Sequence, residues 1–362
     1  MLKLNVNLQD RSYPIYINTD YAQIDKCIHS ARLTGKLVLI TDTNVDRYQA
    51  QECEKAFFEA GYEISKFAIP AGEENKNLET VRDIYKYLLS LKLDRSATLI
   101  ALGGGVVGDI TGFAAATFLR GINFVQIPTT LLAQSDSSVG GKVGVDFEGS
   151  KNIVGAFYQP KFVYINVNSL KTLPERELRS GLAEVVKHGI IMDDEFYEYI
   201  DYNVHKIFNY DESVLQYIAK KNCSIKASVV EKDEKEGDLR AILNFGHTIG
   251  HAIETVMDFS LLHGECVSLG IIGAMRMSQY LEMIDEHTVN RVKGTLEKIG
   301  LPTRLEGIDV DSVYRQMFYD KKIKGNKLTF VLPRKKIGEV IQCTIDDEDL
   351  IKRVIASLGE EE

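Results

Sequence analysis

Three of the seven histidines in this 362-residue chain, His247, His251 and His263, fall within seventeen positions of one another. His247 and His251 are four apart, so in a helix both imidazoles project from one face. Neutral imidazole is the commonest nitrogen ligand for zinc and similar ions, and an i, i+4 pair is a standard way to present two. A single helix histidine is more often a satisfied packing residue. Three so close, with Gly246, Gly250 and Gly264 leaving room for other groups to approach, favour a metal or acid–base site. Glu184, in the apolar helical stretch Leu-Ala-Glu-Val-Val-Lys (182–187), must be either salt-bridged or a ligand. Two histidines and a carboxylate with an open position suit a catalytic metal, although spacing does not say which carboxylate completes the set.

A second set of residues suits anions. Gly-Gly-Gly-Val-Val-Gly-Asp (103–109) follows an expected strand and opens a helical run at 110–118. Glycines there permit close backbone approach, and the amides of a helix start favour a phosphate. As a lone motif it is weak, since glycine turns often serve only tight βα packing; it suggests a pyrophosphate seat without establishing the ordinary dinucleotide fold. Asp42, ending a strand, could contact a ribose, and Gly72-Glu73 with Lys76 follows another strand. The segment 136–144 resembles a phosphate-binding loop but fails its spacing: Asp136 occupies the required first glycine and Val143 replaces Ser/Thr. Arg120, Lys142, Lys151, Lys187, Lys226 and Arg240 stand in apolar or glycine-rich contexts. Most lysines are merely solvated, but Lys142 lies between small residues in an expected loop, where nothing needs a solubilising charge.

The elements that must position these groups change character along the chain. Apolar runs at 36–41, 62–69, 97–102 and 123–127 read as short strands, separated by helical patterns such as 77–91. That alternation is the signature of a parallel α/β sheet. From about residue 174 long helical stretches dominate (174–200, 211–232, 246–258, 264–284 and 287–299), with little strand signal until 328–332. A boundary near residue 170 therefore separates an α/β domain, 1–170, from a mainly helical one, 171–362. Five scattered cysteines without a Cys-x-x-Cys pair argue for reduced thiols in a cytosolic protein. The N-terminus alternates like a strand and lacks a signal-peptide core, and no stretch suits a membrane span. A net charge of −9 disfavours broad nucleic-acid binding.

Taken in order, 103–109, Phe-Leu-Arg-Gly (118–121), Gln-Ile-Pro-Thr-Thr-Leu-Leu-Ala-Gln (126–134), Asp-Ser-Ser-Val-Gly-Gly-Lys (136–142), Lys151-Asn152, 182–187, 239–254 and His-Gly-Glu (263–265) resemble the 3-dehydroquinate synthase family of sugar-phosphate cyclases. The resemblance implies an N-terminal NAD-binding α/β domain, a helical metal- and substrate-binding domain, and a cytoplasmic homodimer. It makes Glu184, His247 and His263 the ligands of one divalent metal, zinc or cobalt, and moves His251 from ligand to active-site residue beside Asp136, Lys142 and Lys187. Substrate contacts fall to Arg120 (across the dimer interface), Asn152, Lys226, Arg240, Asn244 and Lys322. Asp42, Glu73, Lys76, Gly105, Asp109, Thr129, Thr130, Lys142, Lys151 and Thr172 match the cofactor surface. Ser135, His188 and Cys266 depart from the family's usual residues without removing a role. The implied reaction converts 3-deoxy-D-arabino-heptulosonate 7-phosphate to 3-dehydroquinate and phosphate. It runs by transient NAD-dependent oxidation, phosphate elimination, reduction, ring opening and intramolecular aldol closure. Rival readings are a metal-dependent polyol dehydrogenase, which would not need so many anion-binding cations, and another sugar-phosphate cyclase. The substrates of those other cyclases lack the carboxylate that Lys226, Arg240 and Asn244 suit.

Overall fold

The computed structural model describes residues 1–235, 237, 239–319 and 327–360. The chain divides into two units, Met1–Pro174 with Tyr210–Lys235, and Glu175–Asn209 with Glu236–Glu362. The division expected at residue 170 thus falls at Pro174, and the helical stretch 211–232, expected in the second domain, belongs to the first unit.

Unit 1 contains strands β1 (Leu2–Val6), β2 (Tyr13–Asn18), β3 (Leu37–Asp42), β4 (Ile64–Ile69), β5 (Thr98–Gly103), β6 (Asn123–Pro128), β7 (Lys142–Phe147), β8 (Ser150–Phe157) and β9 (Val163–Asn166). Its helices are α1 (Ile24–Ser30), the single turn α2 (Thr43–Val45), α3 (Gln51–Glu59), α4 (Leu78–Ser90) and α5 (Gly105–Thr117). Seven strands form one sheet in the order β1-β2-β9-β6-β5-β3-β4, parallel except for the β1–β2 pair. Both faces are covered, which is why β3 and β5 read as continuous apolar runs. Successive side chains alternate between two cores. Val38, Ile40, Leu99 and Ala101 pack with Val81, Ile84 and Leu88 of α4 and Val107 and Ile110 of α5. Leu37, Leu39, Ile100 and Leu102 pack instead with Ile24 and Ile28 of α1 and Phe57 of α3. The α4 start is fixed by Asn77, whose side chain accepts the Thr80 amide at 3.0 Å.

In unit 2, α6 (Glu175–Met192) and α7 (Asp194–Phe208) come first; the chain then returns to unit 1 as α8 (Glu212–Lys232). It re-enters unit 2 for α9 (His247–Val256), α10 (His263–Tyr280), α11 (Glu286–Ile299), α12 (Val310–Tyr319), the hairpin β10 (Leu328–Arg334) and β11 (Lys336–Ile345), and α13 (Glu348–Ser357). The single helical stretch expected at 174–200 is two helices, because Asp193 leaves helical geometry and caps α7 by accepting the Phe196 amide at 2.9 Å. Within unit 1, α8 is tied down by side chains: Asn222 Nδ2 donates to Ser135 O at 2.5 Å and Cys223 Sγ to Gln134 O at 3.3 Å. All five cysteines are free thiols. No helix among the described residues is long and apolar enough to cross a membrane.

Candidate active site

Unit 2 gathers its histidines through close helix packing. Gly264, second residue of α10, lies so near α6 that a Cβ there would stand 1.9 Å from Ser180 O, and Gly270 would place one 1.8 Å from Gly246 O at the head of α9. Only glycine lets these three helices approach so tightly. The result brings Glu184 from α6, His247 and His251 from α9 and His263 from α10 into one cluster. Ring nitrogens of the three histidines lie within 4.8 Å of one another. Glu184 Oε1 is 3.4 Å from His247 Nε2 and 3.2 Å from His263 Nε2, while its Oε2 is ion-paired with Lys187. His251 stands beside the pair, its ring centroid 5.0 Å from that of His247. The i, i+4 spacing therefore located the cluster, and the carboxylate oxygen that both Nε2 atoms face is that of Glu184.

Electrostatics suit a cation at this point. Burial alone would raise the Glu184 pKa, but Lys187, His247 and His263 outweigh it and hold the carboxyl well below its usual range. Burial is also the main reason His247 falls to about 4, so its imidazole is neutral and able to donate a lone pair. His263 is pulled down by burial too, yet its hydrogen bonds to Glu184 and Glu254 prevail and push it up to about 9. A proton on His263 and a divalent cation answer the same surplus of negative charge. Two imidazoles and an ionised carboxylate are the ligand types of a catalytic zinc or cobalt site, so the donor set fits such an ion. Outer partners orient both rings: the Nδ1 of His247 is 3.0 Å from Phe245 O, and that of His263 is 3.3 Å from Glu254 Oε2. Glu254 was not singled out from sequence. It lies seven residues after His247 on α9, and that i, i+4, i+7 spacing with His251 was the signal available.

Nearby in sequence, the turn Leu239–Asn244 carries Arg240, which is buried, and Asn244, which is exposed. Lys322 lies outside the described residues.

In unit 1 the expected cofactor residues lie at the carboxyl ends of parallel strands. Asp42 ends β3, Glu73 and Lys76 follow β4, Gly105 and Asp109 follow β5, Thr129 and Thr130 follow β6, and Thr172 follows β9. The strand order reverses at β3, with β4 on one side and β5 on the other, so a crevice opens between the ends of β3 and β5. The α5 N-terminus sits there with Gly104 as its N-cap and no side chain capping the first amides. Those amides and the helix dipole favour a phosphate. The Thr129 hydroxyl, held by the bond from its own amide to Gly103 O at 2.9 Å, is buried and has no hydrogen-bond partner among the described residues. An uncapped helix start and an orphaned hydroxyl are what a dinucleotide would satisfy. Two of the expected residues already carry part of their hydrogen-bonding capacity elsewhere. Asp42 Oδ1 already accepts the Asn44 and Val45 amides at 2.8 and 3.0 Å, and the Thr172 hydroxyl accepts from Gln49 Nε2 at 2.6 Å.

Lys76, almost fully buried, pairs with Asp109 at 2.7 Å and donates to Asn152 Oδ1 at 2.5 Å, joining two expected cofactor residues to an expected substrate residue. Burial pushes the Asp109 carboxyl up to about 6, with Lys76 pulling the other way. Because the folded value lies above the ordinary 3.8, the native state keeps this proton longer than the unfolded chain, and stability falls as pH rises between about 4 and 6. Asp109→Asn removes that loss. Urea midpoints should move in favour of the variant across this window, by on the order of 2–3 kcal/mol; a pH-independent gap would refute the assignment.

Asp136 and Lys226 also pair, Nζ to Oδ1 at 2.7 Å and to the Asp136 carbonyl at 2.6 Å. Lys142 corrects the loop reading: it is the first residue of β7, opposite Phe157, after Gly140 and Gly141 with φ of 103° and 68°. Lys151 is the second residue of the largely exposed strand β8, beside Asn152. Arg120 is exposed on a turn in which Leu119, Arg120 and Gly121 all have positive φ.

The chain matches the family models described as 3-dehydroquinate synthase N-terminal over residues 66–180 and C-terminal over 181–323. It is 88% identical to a 3-dehydroquinate synthase of Acetivibrio thermocellus, covering 99% of this chain and 100% of that one, and 63% identical to one of Ruminiclostridium cellulolyticum with the same coverage. A solved structure of 2-deoxy-scyllo-inosose synthase, complexed with carbaglucose-6-phosphate, NAD+ and Co2+, superposes with a TM-score of 0.89 at 27% identity, over 98% of this chain and 99% of that one. Matching in both halves and along its whole length, the chain belongs to the 3-dehydroquinate synthase family.

Proposed function

We propose that the chain is a lyase converting 3-deoxy-D-arabino-heptulosonate 7-phosphate to 3-dehydroquinate and phosphate, using NAD and one divalent ion, zinc or cobalt. The observation that carries this reading is the 88% identity along the whole length of a 3-dehydroquinate synthase. The solved 2-deoxy-scyllo-inosose synthase shares the fold at 27% identity. When bound, NAD supplies a reversible hydride acceptor for the C5 alcohol and the ion a Lewis acid for its oxygen.

The chain's own residues take the following parts. Glu184, His247 and His263 would hold the ion. Gly105, Thr129 and Thr130, with Asp42, Glu73, Lys76, Asp109, Lys151 and Thr172, form the surface for NAD. Arg240 offers a planar fork that suits the substrate carboxylate bidentately, a geometry that lysine lacks. Lys142, Lys187 and Lys226, with Asn152, Asn244 and Lys322, supply positive charge and amide donors for the phosphate, carboxylate and hydroxyls. Asp136 fixes Lys226. His251, an imidazole beside the ligand pair, is the candidate for moving a proton. Such clamping contributes orientation as well as binding. A cytoplasmic homodimer in which Arg120 reaches the partner's substrate completes the reading.

The test is phosphate release from the heptulosonate phosphate with substoichiometric NAD and added Zn2+ or Co2+, while NADH absorbance is followed. Phosphate far in excess of NAD, with no net NADH, is expected. NADH accumulating with a simple polyol, and no phosphate released, would replace this reading with that of a dehydrogenase.

A further inference from the structure

His247 and His263 face the same carboxylate oxygen, but they are held there differently. His247 leans on a backbone carbonyl, Phe245 O at 3.0 Å, which no substitution of a side chain removes. His263 leans on the side chain of Glu254, Nδ1 to Oε2 at 3.3 Å, and that residue is only 7% exposed. The backbone of His263 is set by other means. Leu262, immediately before it, donates its amide to Glu265 Oε2 at 2.8 Å, and Arg176 grips both Glu265 oxygens at 2.7 Å. That network fixes where α10 starts; it does not fix the rotation or the tautomer of the His263 ring. The connection before it, with Asp258 and Phe259 at positive φ, is anchored on Glu254 again, whose carbonyl accepts the Phe259 amide at 3.0 Å.

We propose that Glu254 is the positioning residue of His263: its carboxylate takes the Nδ1–H and so turns the Nε2 lone pair toward the point that Glu184 Oε1 and His247 Nε2 also face. Imidazole ligands commonly donate their other ring N–H to a carboxylate, which fixes the tautomer and makes the ligand more basic, and loss of that partner costs about 10–100-fold in metal affinity. The inference rests on the metal reading of the cluster given above, and it adds a residue to it. The i, i+4, i+7 row on α9 then has a division of labour: ligand, active-site imidazole and orienting carboxylate, in sequence order.

The experiment measures Co2+ affinity by chelator competition, and the visible d–d bands, for the full chain, Glu254→Gln and Glu254→Ala. The alanine variant should bind Co2+ about 10–100-fold more weakly, with altered bands. Glutamine, which still offers an oxygen to Nδ1–H but no charge, should fall between. Should the alanine variant fail to fold, glutamine carries the test alone: weakened Co2+ binding supports the proposal, and wild-type affinity overturns it. Unchanged affinity and bands in either folded variant, even with a lower melting temperature, would reduce Glu254 to a packing role. A wild-type chain that binds no Co2+ would overturn the metal reading beneath it as well, whereas Co2+ binding indifferent to residue 254 overturns this inference alone.

Discussion

Glu184→Gln should lose its metal ion and about 10^3-fold or more of its turnover, the equivalent of the several kcal/mol that a Lewis acid contributes to such a transition state. The side chain is 1% exposed and serves two masters: Oε1 faces both Nε2 atoms and Oε2 pairs with Lys187, itself 2% exposed. The amide keeps the shape and removes the charge. Lys187 is then a buried ammonium without its counter-ion, a situation worth about 3–5 kcal/mol of destabilisation when one partner of a buried pair is removed. The two consequences can be separated. Adding Lys187→Met to the variant should recover most of the stability, read from urea midpoints, and none of the metal content, read by elemental analysis. Wild-type metal content in the folded single variant would remove Glu184 from the ligand set.

Lys142→Ala should lower turnover by about 10^2–10^3-fold, the usual effect of deleting one preorganised group that stabilises developing charge, while leaving the melting curve within experimental error. The expectation of an intact fold follows from its surroundings. The side chain is exposed, and the positions around it are set by backbone: Gly140 donates its amide to Tyr13 Oη at 3.1 Å, Gly141 O accepts the Tyr158 amide at 2.7 Å, and β7 runs against β8 from this residue onward. None of these bonds needs the lysine side chain. The side chain is therefore carried on a base that backbone bonds hold in place. A loss confined to KM would assign it to uniform substrate binding. Full turnover in the folded variant would discard its role.

Much of this was legible in the sequence for a physical reason. Strands covered on both faces must be apolar throughout, so β3, β5 and β6 announced themselves, and α4 showed its buried stripe. The three histidines were visible because histidine is scarce in this chain. What stayed hidden lacked such a signature. The β7–β8 hairpin is largely exposed along β8 and glycine-bearing, so it has no alternation to read and Lys142 looked like a loop residue. An amphipathic helix such as α8 advertises a buried face but not which unit buries it. Glu254 sat inside a motif already quoted, and its task depends on α10 folding back to bring His263 within reach. Spacing along one helix cannot disclose a partner on another.

The return of α8 to unit 1 has a consequence for how the chain is made. The segment Ala133–Ser137, whose Gln134 and Ser135 carbonyls and Asp136 side chain are held by Cys223, Asn222 and Lys226, emerges from the ribosome well before the helix that holds it. Roughly 60 residues separate Pro174 from Lys235, or several seconds of synthesis at about 5–20 residues per second. During that interval the parallel sheet is complete in strands but the Ala133–Ser137 segment lacks the helix that holds it, and α6 and α7 have already been produced for a unit that does not yet exist. Birth of this protein is thus interleaved, and its first half finishes only after its second half has begun.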